Sequence, residues 1–215
     1  MHLRLKKGSY EYIDNSDLVV HQPKDWKGRW NEVFGNDRPV HLEVGSGRGS
    51  FITQLAMLNP GINYVAVELY ASPMYRAIKR AEETSCTNLR FLRMDAEFLP
   101  EVFDRDEVSR IYLNFSDPWP KTSKGNKRLT SSHYLQKYDL FLSEDGRIEF
   151  KTDNEPLFRF SLQEAESQCW VCSEVTDDLH SGGNPEWNVM TDYEMAFVEK
   201  GVPIHRVVLT RDRSD

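Results

Sequence analysis

Four short apolar runs between residues 39 and 118 each end at or near an acid, and they alternate with segments of helical spacing. PVHLEVG (39–45) carries Glu43, NYVAVEL (63–69) carries Glu68, NLRFLRMDA (88–96) carries Asp95, and RIYLNFSDP (110–118) carries Asp117. Parallel strands need a crossover long enough to return the chain to the same end of a sheet, so this alternation points to β-α units. SFITQLAMLNP (50–60) stops at Pro60, and SPMYRAIKRAEET (72–84) has Pro73 at a position suited to a first helical turn. The alternation continues with a helix at 131–143, a strand at 147–153, a helix at 155–168 and a strand at 170–179. A helix at 191–201 and a strand at 204–210 complete it. Seven strands with alternating helices predict an α/β fold built on a doubly wound, mostly parallel sheet. The last two strands lack a crossover helix of ordinary length, which predicts an antiparallel pair at the sheet edge. Residues 1–37 are polar and irregular, with a Trp-rich helical stretch, KDWKGRW (24–30), and read as an extension before a domain at 38–215.

Length and composition fit one ordinary globular domain: 215 residues, 39% hydrophobic and 28% charged. No apolar run approaches the ~18 residues that span a membrane, and MHLRLKKGSYEY lacks the apolar core of a signal peptide. Three cysteines include a Cys169-Trp-Val-Cys172 pair without further ligands nearby, which reads as structural thiols in a reducing cytoplasm. The six histidines show no metal-ligand spacing, and no metal is expected. The chain reads as a monomer or homodimer.

Glu43-Val-Gly45-Ser-Gly47-Arg-Gly49 lies at a strand end and opens a helix, the arrangement in which backbone N–H groups approach a ligand. Open α/β sheets bind ligands outside the carboxyl ends of their strands, so Glu43, Glu68, Asp95 and Asp117 are expected around one crevice. Singly, a strand-end acid is more often the N-cap of the next helix; four in succession behind a glycine loop favour a nucleoside-bearing cofactor, with Glu68 positioned for ribose hydroxyls. A dinucleotide needs the helix N-terminus free for pyrophosphate and uses GxGxxG spacing. Here the spacing is GxGxG, and a carboxylate at Glu43 would repel a phosphate yet suit a cation. S-adenosylmethionine carries a sulfonium and an ammonium and no phosphate. A nicotinamide-dependent oxidoreductase is the reading this disfavours.

The glycine loop resembles motif I of Rossmann-like methyltransferases, and Glu68 and Asp95 match the ribose- and adenine-side acids of that class. NFSDPWPK (114–121), FKTDNEPLF (150–158), TDYE (191–194) and KGVPI (200–204), in this order behind the loop, resemble the bacterial tRNA (guanine-N7-)-methyltransferases over about residues 38–205. The resemblance implies methyl transfer from S-adenosylmethionine to N7 of a guanosine in the variable loop of tRNA, at position 46. Asp117 would be the catalytic residue and would also touch the cofactor, which Glu43, Gly45, Gly47, Gly49, Glu68 and Asp95 hold. Lys121, Asp153, Thr191, Asp192, Tyr193 and Glu194 would form the guanosine site. Thr191 with Asp192 and Glu194 also fits a helix cap with first-turn acids. Lys121, Lys124, Lys127 and Arg128 form a run without an acid in a chain of net charge −7. The last three are expected to meet RNA phosphates. The acid–Pro–aromatic pattern at Asp117 also occurs in methyltransferases for exocyclic amines, so another base nitrogen or a small molecule is the alternative substrate. A noncatalytic RNA-binding module on the same fold is a further one.

Overall fold

The computed structural model describes residues 8–120 and 125–211. Its strands are β1 (Val40–Val44), β2 (Asn63–Glu68), β3 (Leu89–Arg93), β4 (Val108–Asn114), β5 (Leu142–Thr152), β6 (Trp170–Thr176) and β7 (His205–Arg211). They form one sheet in the order β3-β2-β1-β4-β5-β7-β6. Strands β1 to β5 pair in parallel, and β7 runs antiparallel to both β5 and β6. The expected antiparallel pair is therefore at the edge, with β6 outermost. The helices are α1 (Ser9–Asp14), α2 (Trp30–Phe34), α3 (Ser50–Leu58), α4 (Ala71–Glu82), α5 (Ser132–Asp139), α6 (Glu155–Ser167) and α7 (Asp192–Val198).

Every residue of β1 and β2 is buried, which is why VHLEV and NYVAVE do not alternate polar with apolar. One sheet face carries a core around Leu42, Val44, Leu113, Phe150, Tyr138 and Phe158. The opposite face packs α3 and α4 through Phe51, Ile52, Met74 and Ile78 against Tyr64 and Phe91. Strand order reverses between β2-β1 and β4-β5, so connections leave in opposite directions and open a crevice at the carboxyl ends of β1 and β4.

The N-terminal segment packs on this body. Ile13 and Val19 are buried in the α3–α4 core, and backbone bonds Val20 N to Phe91 O and Phe91 N to Leu18 O attach residues 18–20 to the outer side of β3. Trp30 is buried in the other core, stacks on Phe103 at 4.9 Å and donates its indole N–H to Val102 O at 3.0 Å. The expected single helix at 24–30 is instead a short turn of 3-10 helix at Pro23–Trp26, followed by α2. Gly28, with φ of 75°, separates them.

Gly49 fixes how closely α3 approaches α4. Its φ is 70°, and a Cβ there would stand 2.7 Å from Ala77 Cβ and 3.1 Å from Ala77 Cα, on the neighbouring helix. Gly49→Ala combines a left-handed backbone with a steric clash, so it should destabilise the fold by about 1–3 kcal/mol. Urea denaturation at neutral pH checks this, and a midpoint equal to the parent's would show that the two helices separate freely.

Candidate active site

The glycine loop leaves β1 through Gly45 and is pinned by N–H bonds from Gly45 and Ser46 to Val67 O, at 2.9 and 3.0 Å. Nothing lies within 4 Å of a Cβ built on Gly47, whose φ is 55°. That open space lies over the crevice, whereas Gly49 serves the packing of α3. Beneath the loop Glu43 is buried. Its Oε1 accepts from Asn114 Nδ2 at 3.0 Å across the β1–β4 boundary, and its Oε2 has no hydrogen-bond partner. Burial pushes this carboxyl up to about 8, against the downward pull of Asn114 and Lys151. A buried, half-satisfied carboxyl beneath a loop of small residues is suited to a cationic group, which would draw it into the ionised form.

Glu68 binds the loop to the end of β2. Its Oε2 accepts from Gly47 N at 2.9 Å and its Oε1 from Tyr70 N at 2.8 Å. Each carboxylate oxygen has two lone pairs, so acceptor capacity remains for ribose hydroxyls. Burial raises this carboxyl, the Tyr70 and Gly47 amides lower it, and the charge of Asp117 raises it further. That last influence places Asp117 on the same crevice. Asp95 is exposed and caps the following 3-10 turn, its Oδ1 accepting from Glu97 N at 2.9 Å.

The Asp117 loop is held in an unusual shape. Phe115 continues the sheet by donating its N–H to Lys151 O at 2.9 Å, yet its φ is 52°, a left-handed value rare for a bulky side chain. Its ring stacks on Phe197 of α7 at 6.0 Å. Two residues on, Asp117 is exposed at the rim. Arg128 fixes the far side, donating through Nε to Pro118 O at 3.0 Å and through Nη2 to Trp119 O at 2.7 Å, with its guanidinium 4.3 Å from the Phe160 ring. Backbone strain of this kind persists where the surroundings over-determine it.

This corrects one expectation. Arg128 is buried, so it clamps the Asp117 loop from behind instead of facing RNA. Lys127 is exposed and lies 5.4 Å from the Trp119 ring, leaving its charge at the surface. Lys121 and Lys124 lie outside the described residues.

On the substrate side, Thr191 and Glu194 form a reciprocal capping box at the start of α7. Glu194 has no exposed surface. Its Oε2 takes Lys151 Nζ at 2.6 Å, and its Oε1 takes Asn188 Nδ2 at 2.8 Å and His180 Nε2 at 2.9 Å. It therefore organises the region from inside, and a direct contact with guanosine does not fit this burial. Tyr193 is exposed, Asp192 pairs with Arg80 at 3.3 Å, and Asp153 is half-buried where β5 ends. Asp192 N donates to Ser50 Oγ at 3.2 Å, which brings the TDYE segment beside the glycine loop. Loop 180–190 is tied down by the His180 and Asn188 bonds to Glu194.

Sequence reasoning missed Asn114, Lys151 and Phe115. Asn114 precedes Asp117 by three residues and Lys151 precedes Asp153 by two, so both sit in motifs already singled out. Their inward direction follows from strand register, with Glu43 opposite Tyr112 and Asn114 opposite Lys151. Among the described residues no group of three or more His, Cys, Asp or Glu could hold a metal ion.

A family model described as "Putative methyltransferase" matches residues 37–207. The chain is 52% identical over 213 residues to a tRNA (guanine-N(7)-)-methyltransferase of Lachnoclostridium phytofermentans, covering 99% of this chain and 100% of that protein. It is 44% identical over 207 residues to the protein of the same description from Bacillus subtilis, covering 96% and 97%. In structure it resembles a 30S ribosomal A1408 methyltransferase from an uncultured bacterium, with a TM-score of 0.60, 11% identity and coverage of 86% and 93%. It also resembles the fibrillarin/Nop5p complex, with a TM-score of 0.55, 16% identity and coverage of 89% and 83%. At such identities these two likenesses speak for the fold alone.

Glu43 makes a pH-dependent contribution to stability. Between the ordinary carboxylate value of 4.5 and about 8 the folded chain holds a proton that the unfolded chain has released. Its contribution therefore falls as pH rises through that window, by up to roughly 1.4 kcal/mol per pH unit. Glu43→Gln should remove that slope, gaining on the parent as pH rises from 5 to 8 in urea midpoints. A constant difference between the two proteins would show that Glu43 titrates normally.

Proposed function

The chain belongs to the tRNA (guanine-N7-)-methyltransferase family, and we propose how its residues divide the work of methylating N7 of a tRNA guanosine. S-adenosylmethionine supplies, when bound, an electrophilic methyl on a sulfonium. The site fits that ligand through the partnerless Glu43 Oε2, the open surface of Gly47 and the spare acceptor capacity of Glu68. Glu43 would face its ammonium, the backbone of residues 45–49 its amino-acid portion, Glu68 its ribose and Asp95 its adenine side.

Guanine N7 carries a free lone pair at neutral pH, so no residue has to remove a proton before attack. The protein's task is orientation and charge placement. Methylation puts positive charge into the imidazole ring of the base, and negative potential fixed beside that ring lowers the barrier. Asp117 is the group placed for this. It is exposed at the rim and close enough to Glu68 to raise that carboxyl, and the strained Phe115 backbone and the Arg128 clamp limit its movement. This placement is the observation that carries the assignment.

Asp153, Thr191, Asp192 and Tyr193 would line the guanosine pocket, with Tyr193 offering an exposed ring for stacking. Glu194 and Lys151 would hold that pocket from below. Lys127 beside Trp119, with Lys121 and Lys124, would meet RNA phosphates. The variable-loop guanosine at position 46 is the target the motif resemblance favours. The described helices include none long and apolar enough to cross a membrane, and a tRNA substrate would fit an activity in the cytoplasm.

Incubating an unmodified tRNA transcript with S-adenosylmethionine and then cleaving with borohydride and aniline reports 7-methylguanosine and its position. Cleavage at position 46 is expected; methyl incorporation elsewhere would overturn the substrate assignment. Asp117→Ala should lower kcat by roughly 10²-fold while tRNA binding changes only a few-fold. Equal loss of turnover and binding would make Asp117 a binding residue. Lys127→Ala should reduce the salt slope of tRNA binding by about one unit, and an unaltered slope would leave Lys127 a solvated side chain.

A further inference from the structure

On the sheet face that carries α3, a cavity of about 310 Å³ opens beside the helix, and Asn114 and Lys151 in its lining connect it to Glu43 and Glu194. Its floor holds three arginines from neighbouring strands, Arg110 on β4, Arg147 on β5 and Arg206 on β7, and loop 180–190 supplies a wall through Trp187 and Asn188. One carboxylate, Glu149, serves all three. Its Oε1 lies 3.4 Å from Arg110 Nη1 and 3.0 Å from Arg147 Nη2, and its Oε2 lies 3.3 Å from Arg206 Nη2. A second carboxylate, Glu174, reaches Arg206 Nη1 at 2.7 Å from a side chain that is more than half exposed. The Nε atoms of all three arginines are buried without a partner.

Three guanidinium groups against two carboxylates leave an excess of positive charge. The excess is costly where water is scarce, and the Arg206 side chain is only 5% exposed. His41 lies on the same floor. Burial and then the charges of Arg110 and Arg147 push that imidazole down to about 3, so it adds no charge of its own. The Arg206 guanidinium also lies 4.5 Å from the Trp187 ring, which closes over it from the loop. Among the described residues, none of the three arginines makes the two-pronged contact with a single carboxylate that satisfies a guanidinium best.

We propose that this cavity is a second ligand site, which takes a phosphate-type oxyanion on Arg110, Arg147 and Arg206. A tetrahedral oxyanion brings acceptors in several directions and offsets the charge that Glu149 and Glu174 leave over. Its source is either free phosphate or a backbone phosphate of the RNA. Occupancy would brace loop 180–190 through Asn188, whose side chain also bonds Lys151 and Glu194.

The test uses the full chain at constant ionic strength, with inorganic phosphate replacing chloride. Thermal unfolding should show a saturable rise in Tm that Lys127→Ala keeps and that Arg147→Gln or Arg110→Gln weakens at least tenfold in apparent Kd. Both replaced arginines are about one-third exposed, so the variants should fold. In parallel, the salt slope of tRNA binding separates the sources. A slope lower by about one unit in Arg147→Gln assigns the phosphate to RNA, and an unchanged slope with the Tm effect assigns it to free phosphate. A phosphate effect of parent size in both arginine variants, or no phosphate effect together with an unchanged slope, overturns the proposal.

Discussion

The contact between Lys151 and Glu194 is the constraint on which the substrate half of the molecule depends. An ammonium near the end of β5 and a carboxylate on α7 meet at 2.6 Å with almost no solvent around them. Removing either partner alone would leave a buried charge, a loss of about 3–5 kcal/mol in comparable pairs. Burial disfavours the charge on Lys151 and Glu194 favours it, while Asn188 and the Val189 carbonyl take up its remaining donors. Loop 180–190, the α7 capping box and the end of β5 are thereby one unit. Phe115 joins that unit to the Asp117 loop twice, through its bond to the Lys151 carbonyl and its stacking on Phe197.

The strand-end acids have separate physical roles despite their common position. Glu43 is buried with one oxygen unpartnered, Glu68 fastens the glycine loop, Asp95 caps a helical turn, and Asp117 is exposed at the rim. The cap interpretation and the ligand interpretation of such residues are thus compatible. A carboxylate that spends one lone pair on a backbone N–H retains others, and the same bond fixes its direction.

The fold was legible because each β-α unit carries its own local signals: an apolar run, an acid or glycine at its end, and helical spacing with a proline or capping residue. Strand order beyond β5 has no such local signal, and pairing of β7 between β5 and β6 is settled by long-range register. The site was legible as a set of motifs but not as a division into surface and interior. Arg128 belongs to a basic run, and nothing in KGNKR distinguishes the side chain that turns inward onto the Pro118 and Trp119 carbonyls. Glu194 resembles a substrate acid for the same reason. Its partners Lys151 and His180 lie 43 and 14 residues away, so its burial depends on the folded topology.

These placements also explain how an acidic chain can present this crevice to RNA. The formal count of carboxylates around it overstates the negative charge a phosphate would meet. Glu43 is held toward its neutral form by burial, Glu68 is shifted the same way, and Glu194 is matched by Lys151. Asp192 is matched in turn by Arg80. Asp117 is exposed at the rim, on the loop whose Trp119 ring lies 5.4 Å from the exposed Lys127. On the proposed assignment, a carboxylate at Asp117 next to the cationic Lys127 would suit methylation of N7, because the base gains positive charge while the backbone around it remains anionic. On that assignment, the lowered charge of the interior carboxylates would reduce repulsion of the phosphates while the carboxylate of Asp117 stabilises the product.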